Sequence, residues 1–164
     1  TPLYSSAASD VYKRQVRGWR HPARSVPRLA RSKSMIVYVP VSVGELIDKI
    51  TILRIKLDHA RTPTQKHNIS TELNQLEAIL DQLELSADIT THTSQLHAVN
   101  QELWTIEDAK RQHEKQHLFD LAFVELARAV YVKNDLRASI KREINIATHS
   151  AIVEEKIHEC ILHY

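Results

Sequence analysis

Asn134, Arg137, Lys141 and Asn145 follow one another at steps of three, four and four. That spacing sets all four side chains on one stripe of an α-helix. Two cations between two amides can hold a phosphate, a carboxylate or a sugar through charge-assisted hydrogen bonds. The competing reading is a solvated face with Glu143 beside it, since exposed charge is the default for such stripes.

A second group lies at Gly44, Glu45, Asp48 and Lys49. Acids in a first helical turn complement the macrodipole, and Glu45 with Lys49 makes an i,i+4 pair. That explanation suffices for Glu45, whereas Asp48 and Lys49 are expected to face Arg142 and Glu143 across a bundle. Gly44 has no turn to make inside a helix start, so a close approach by a neighbour or ligand is expected there. A helix N-terminus also attracts anions, although a capping box takes up some of its donors.

Trp104, Glu107 and Asp108 place an aromatic ring beside two carboxylates. Such acids do proton-transfer work when their environments push them apart; the plainer alternative is a core Trp with solvated acids. Glu125 and Arg128, three apart in an apolar run, are expected to form a buried ion pair that fixes packing. His113-Glu114-Lys115-Gln116-His117 matches H-E-x-x-H, which places two His one turn apart for zinc. Lys115 brings a cation into that neighbourhood, no third ligand follows at the usual spacing, and nine His after Met35 make chance pairings common. Adventitious binding of a divalent ion is the expectation there; no metal site and no cofactor are expected.

Whole-chain charge is misleading. The 164 residues carry net +2, but residues 1–34 hold eight Lys/Arg against one Asp. Residues 35–164 hold 14 Lys/Arg against 19 Asp/Glu, net −5. A net negative body argues against phosphate-backbone binding, so no nucleic-acid partner is expected. Residues 1–15 resemble a translated sequencing adapter, and 16–34 read as translation upstream of Met35, the only Met. The same basic, Ser-containing composition also suits a transit peptide. On either reading residues 1–34 are expected to be a disordered extension outside the fold, and 35–164 a helical domain.

The elements that must position these groups are long helices. Cys160 is the only cysteine, which excludes an intrachain disulfide and suits a reducing cytoplasm. No apolar run approaches the ~18 residues of a membrane span. Gly44 is the only glycine after Met35 and Pro63 the only proline after Pro40, so tight turns are few. Residues 35–41 read as a lone strand or extended arm. Ser42 with Glu45 reads as a capping box that opens a helix with Leu46, Ile50, Leu53 and Leu57 on its seam. Thr62-Pro63-Thr64-Gln65 opens the next, with Ile69, Leu73, Leu76, Leu80 and Leu83, and the short connection implies an antiparallel hairpin. Residues 86–91 read as a linker, and a third seam runs through Leu96, Val99, Leu103 and Ile106. Twelve of the fifteen residues 118–132 are apolar or Ala, which predicts a central buried helix. Asn134-Asp135 reads as a bend or new cap, and residues 136–147 as helix again. The tail from Ser150 is ambiguous. The expected fold is therefore all-α: one antiparallel bundle of four to five helices, with at most one short N-terminal strand.

Three blocks carry a family resemblance: PVSVGELIDKITILRIK (40–56), LWTIED (103–108), and FVELARAVYVKNDLRASIKREIN (123–145) with VEEK (153–156). Together they resemble an uncharacterised family of small bacterial proteins, a domain of unknown function. The resemblance implies an all-helical fold and an association with surface-polysaccharide or glycosyltransferase functions, without a mechanism. The many His residues and the tail past VEEK depart from it. Two functions follow as expectations. The first is a non-catalytic helical binding or assembly module, a homo-oligomer or the binder of a protein partner, because catalytic groups concentrate on loops and a/d-like spacing invites helix pairing. The second is a small-ligand enzyme or binder of a small anion or nucleotide sugar, since ELIDKITILRIKL is superficially similar to the first helix of all-helical chorismate mutases. That chemistry needs Lys49, Arg54, Arg137, Lys141 and Arg142 to converge on one pocket.

Overall fold

The computed structural model describes residues 35–85 and 87–157. The expected extension at residues 1–34, like Cys160, lies outside them. The chain divides into two units at Tyr38, and the helical body belongs to the unit that begins at Val39. Four helices are present among the described residues: α1 (Val43–His59), α2 (Pro63–Asp81), α3 (Thr90–Gln116) and α4 (Leu121–Ala147). Residues 35–41, expected as a lone strand or an extended arm, form no strand; the segment is irregular. None of these helices is long and apolar enough to cross a membrane.

The helix starts follow the local chemistry. Thr62 Oγ1 accepts from Gln65 N–H at 3.2 Å, and the Gln65 side chain accepts from Thr62 N–H at 3.1 Å, so the capping box ahead of Pro63 is complete. At α1 only half of it forms. Ser42 Oγ accepts from Glu45 N–H at 3.1 Å, while the Glu45 carboxylate reaches across to α4. Asp120 caps α4 by accepting from Phe123 N–H at 3.1 Å.

The central helix is α1, which corrects the expectation for residues 118–132. α1 packs on each of the other three helices, α3 packs along α4, and α2 lies along α1. Two apolar faces explain this. Leu46, Ile50 and Leu53 meet Leu73 of α2, while Ile47 on the other face meets Leu96, Val99 and Leu103 of α3 and Ile140 and Ile144 of α4. Each such side chain contributes roughly 1.5–3 kcal/mol on burial, so α1 draws stability from two cores at once.

The apolar run 118–132 lies instead on a projecting arm. α3 and α4 have 27 residues each and α1 only 17. At 1.5 Å per residue the pair is about 40 Å long and α1 covers about 26 Å of it. α1 ends where His59 stacks on Trp104, their ring centroids 4.8 Å apart. Beyond that level Leu118, Phe119, Leu121 and Val124 are exposed, Leu121 to 71%. Glu125 and Arg128 are exposed too and make no ion pair with each other, contrary to the expected buried pair.

Candidate functional site

The sequence stripe faces inward. The C-terminal half of α4 packs beside the N-terminus of α1, and the tail after Ser150 returns over it. Together they enclose an open cleft of about 800 Å³ whose lining includes Glu45, Asn134, Arg137, Lys141, Asn145 and Glu154.

Behind Arg137, which lines the cleft, lies a buried polar network. Asp48 is 1% exposed and takes Arg137 as a two-pronged partner, Nε to Oδ1 at 2.8 Å and Nη2 to Oδ2. Asn100 Nδ2 donates to the same Oδ1 at 2.8 Å and to Thr51 Oγ1 at 2.9 Å, and Thr51 Oγ1 donates to the Asp48 carbonyl at 2.8 Å. The hydrogen bonds from Arg137 to Asp48 more than offset desolvation and hold the guanidinium charged beyond its ordinary range.

One turn on, Lys141 Nζ sits between two carboxylates, donating to Glu45 at 2.6 Å and to Glu154 of the tail. Burial is the largest single influence on this amine and lowers its pKa. The hydrogen bonds from Glu154 and Glu45, with their charges, outweigh it, and the net shift is upward. A folded-state value above the unfolded one means stability that is complete below the ordinary lysine range and lost as pH climbs through the raised value. The unfolding free energy of wild type relative to Lys141→Met should therefore fall above about pH 10.5, measured by urea titration across the alkaline range.

At the head of the cleft Asn145, 2% exposed, accepts from Gly44 N–H at 2.7 Å through Oδ1, and its Nδ2 has no partner. Val43 N–H donates to Ser150 Oγ at 3.3 Å and Glu45 N–H to Ser42. The first amides of α1 are thus occupied by side chains and are not offered to an anion. Gly44 is needed for proximity, as expected: a Cβ there would lie 2.5 Å from the Lys141 carbonyl oxygen and 2.9 Å from Asn145 Oδ1.

The remaining sequence candidates divide. Asn134 stands at the cleft wall, its Nδ2 donating to the Val130 carbonyl at 3.0 Å and its Oδ1 3.5 Å from Arg137 Nη1. No bend occurs there; α4 runs unbroken through Asn134-Asp135. Arg142 lines the cleft and pairs with Glu155 of the tail at 3.1 Å. Lys49 does not take part. It pairs with Glu72 of α2 at 2.8 Å, because neighbours in a helix diverge by about 100° and Asp48 has taken the α4 side. Arg142 and Glu143 therefore do not face Asp48 and Lys49, and Glu143 lies 3.6 Å from His92. Arg54 is likewise elsewhere, held by Glu77. Trp104 lies at the far end of α1 against His59, its Nε1 buried without a partner. Glu107 pairs with Lys110, and Asp108 is exposed.

His117 is the left-handed residue that ends α3, with φ of 54°, and His113 turns Nδ1 to the Leu118 carbonyl at 3.3 Å. No group of three His, Cys, Asp or Glu able to hold a metal occurs among the described residues.

Sequence reasoning missed Asn100, Thr51, Asp135 and the acids of the tail. Asn100 and Thr51 carried a signal: each is a lone polar residue at a buried position, four after Leu96 and Ile47 respectively. Asp135 is buried and pairs with Lys156 of the tail.

The fold and the cleft define an all-helical protein whose central short helix and C-terminal tail are tied to one long helix by ion pairs. Residues 37–162 match the model of a family of unknown function (DUF6165), and the chain belongs to that family. No curated protein and no solved structure matches it.

Proposed function

We propose that this protein is a non-catalytic binding module whose cleft takes a small anion in competition with its own tail. The observation that carries the reading is Lys141. Its amine is buried at the cleft floor and holds the carboxylate of Glu154, which arrives on an irregular segment. One turn away lies the buried, unpartnered Nδ2 of Asn145. A ligand carboxylate or phosphate that displaced Glu154 would keep the charge pairing of Lys141 and gain a donor the tail leaves unused.

Electrostatic catalysis of the chorismate-mutase kind has less support. It needs cations left free for substrate charge, and Arg137, Lys141 and Arg142 each already hold a carboxylate. Lys49 and Arg54 point to α2.

The test is a thermal-shift and calorimetric titration with inorganic phosphate, a short dicarboxylate and a sugar phosphate, the last chosen for the polysaccharide setting the family resemblance implies. At least one is expected to bind, and Glu154→Gln to tighten that binding several-fold by weakening the competitor. Lys141→Met is expected to abolish it while the far-UV circular dichroism stays helical. No binding by any of the three, with Glu154→Gln equally silent, would make the cleft a docking seat for the tail and nothing more.

A further inference from the structure

The outer face of α4 is treated differently along its length. From Asp135 onward the tail lies over it, through Lys156 on Asp135 and Glu155 on Arg142. From Arg128 back to Leu121 its seam positions are exposed, and Val132, between the two stretches, is half-buried. Leu121, Glu125, Arg128 and Val132 follow at steps of four, three and four, the spacing of a two-helix seam. Val124 and Tyr131 flank that seam, both exposed, and Phe119 stands at its end, 57% exposed. An uncovered apolar stripe of this kind marks an interaction surface.

Its charges identify the partner. Glu125 and Arg128 are both exposed and, among the described residues, neither has an ion-pair or hydrogen-bond partner. They lie symmetrically about the point between Leu126 and Ala127. A second α4 laid antiparallel across that point would set Glu125 against Arg128 of the other copy, twice over. The same operation sets Leu121 against Val132 at both ends. Apolar meets apolar and acid meets base in one register, which is the self-complementarity an isologous two-fold contact requires.

We infer that two copies of this chain associate through α4 in this antiparallel register, the two projecting arms forming a four-helix cluster at the dimer axis. The cleft lies outside this contact, so the inference stands independently of any ligand.

Sedimentation equilibrium of the full chain, from low micromolar to sub-millimolar concentration, tests it. The expected result is a reversible monomer–dimer equilibrium. Glu125→Arg alone, or Arg128→Glu alone, places like charges against each other on both sides of the axis and should weaken dimerisation at least tenfold. Combined, the two substitutions restore opposite charges in the same register and should return the dimer. Both positions are solvent-exposed, so the melting temperature of the dilute monomer should hardly change. A monomer at every concentration would overturn the inference. So would a dimer indifferent to the single reversals, or single reversals that the double variant fails to repair. A large loss of melting temperature in the dilute protein would also overturn it, because it would mean that the chain itself covers this face.

Discussion

Replacing Asp48 by Ala should lower the unfolding free energy by about 3 kcal/mol, the lower end of the range for removing one partner of a buried ion pair. The lower end applies because the Arg137 side chain keeps about a quarter of its exposure (27%) and water can reach it, whereas Asp48 is fully buried. Arg137 would lose both prongs, and Asn100 would lose one of its two acceptors. Against a typical total of 5–15 kcal/mol this is a large fraction, visible as a displaced midpoint in urea unfolding followed by far-UV circular dichroism. The double variant Asp48→Ala/Arg137→Met should recover much of the loss, because it removes the stranded charge together with its partner. A double variant as unstable as the sum of the singles would show that the two residues act separately, and the network would not be the unit described above.

How much of this could be read from the residues depends on which physical rule governs each. The seams on α1, α2 and α3 followed from helical periodicity, and the Thr62 box from capping chemistry, since both are local; on α2 only Leu73 is fully buried, and Leu83 lies past the helix end and is exposed. The inward stripe of α4 and the close approach at Gly44 were also legible, the second because a glycine without a turn needs another reason. The misplaced centre was not. A helix apolar on most sides and a helix on an uncovered arm look alike in composition, and only the relative lengths of α1 and α4 separate them. Lys49 failed for a geometric reason, because a helix cannot point adjacent residues at the same neighbour. Asp135 escaped because Asn-Asp resembles a helix stop; a tail lysine pairs with the acid and the backbone hydrogen bonds continue past it. The tail itself has no periodicity to read. Its order rests on ion pairs with α4 and on Ser150, whose Oγ receives the Val43 amide.

Gly44→Ala should be the most damaging single-methyl change in the helical body, costing about 1–3 kcal/mol as an overpacking substitution. In a free helix the same change would stabilise by up to about 1 kcal/mol, so a net loss must come from packing. The contact that resists is backbone. A new Cβ would lie 2.5 Å from the Lys141 carbonyl oxygen, which is fixed in mid-helix and cannot rotate away as a side chain would. α1 must therefore withdraw from α4 at the crossing where Gly44 N–H meets Asn145 and Glu45 meets Lys141. Two consequences separate this mechanism from a local loss of one hydrogen bond. Adding Asn145→Ala should not rescue Gly44→Ala, because the carbonyl remains. Hydrogen exchange should accelerate at the amides of residues 43–45 and over the tail before it does at the far end of α1, where His59 and Trp104 are untouched. A Gly44→Ala protein with an unchanged or raised unfolding midpoint would mean that α1 and α4 do not approach as closely as the site requires, and with that the alignment of Lys141 between Glu45 and Glu154 would fail.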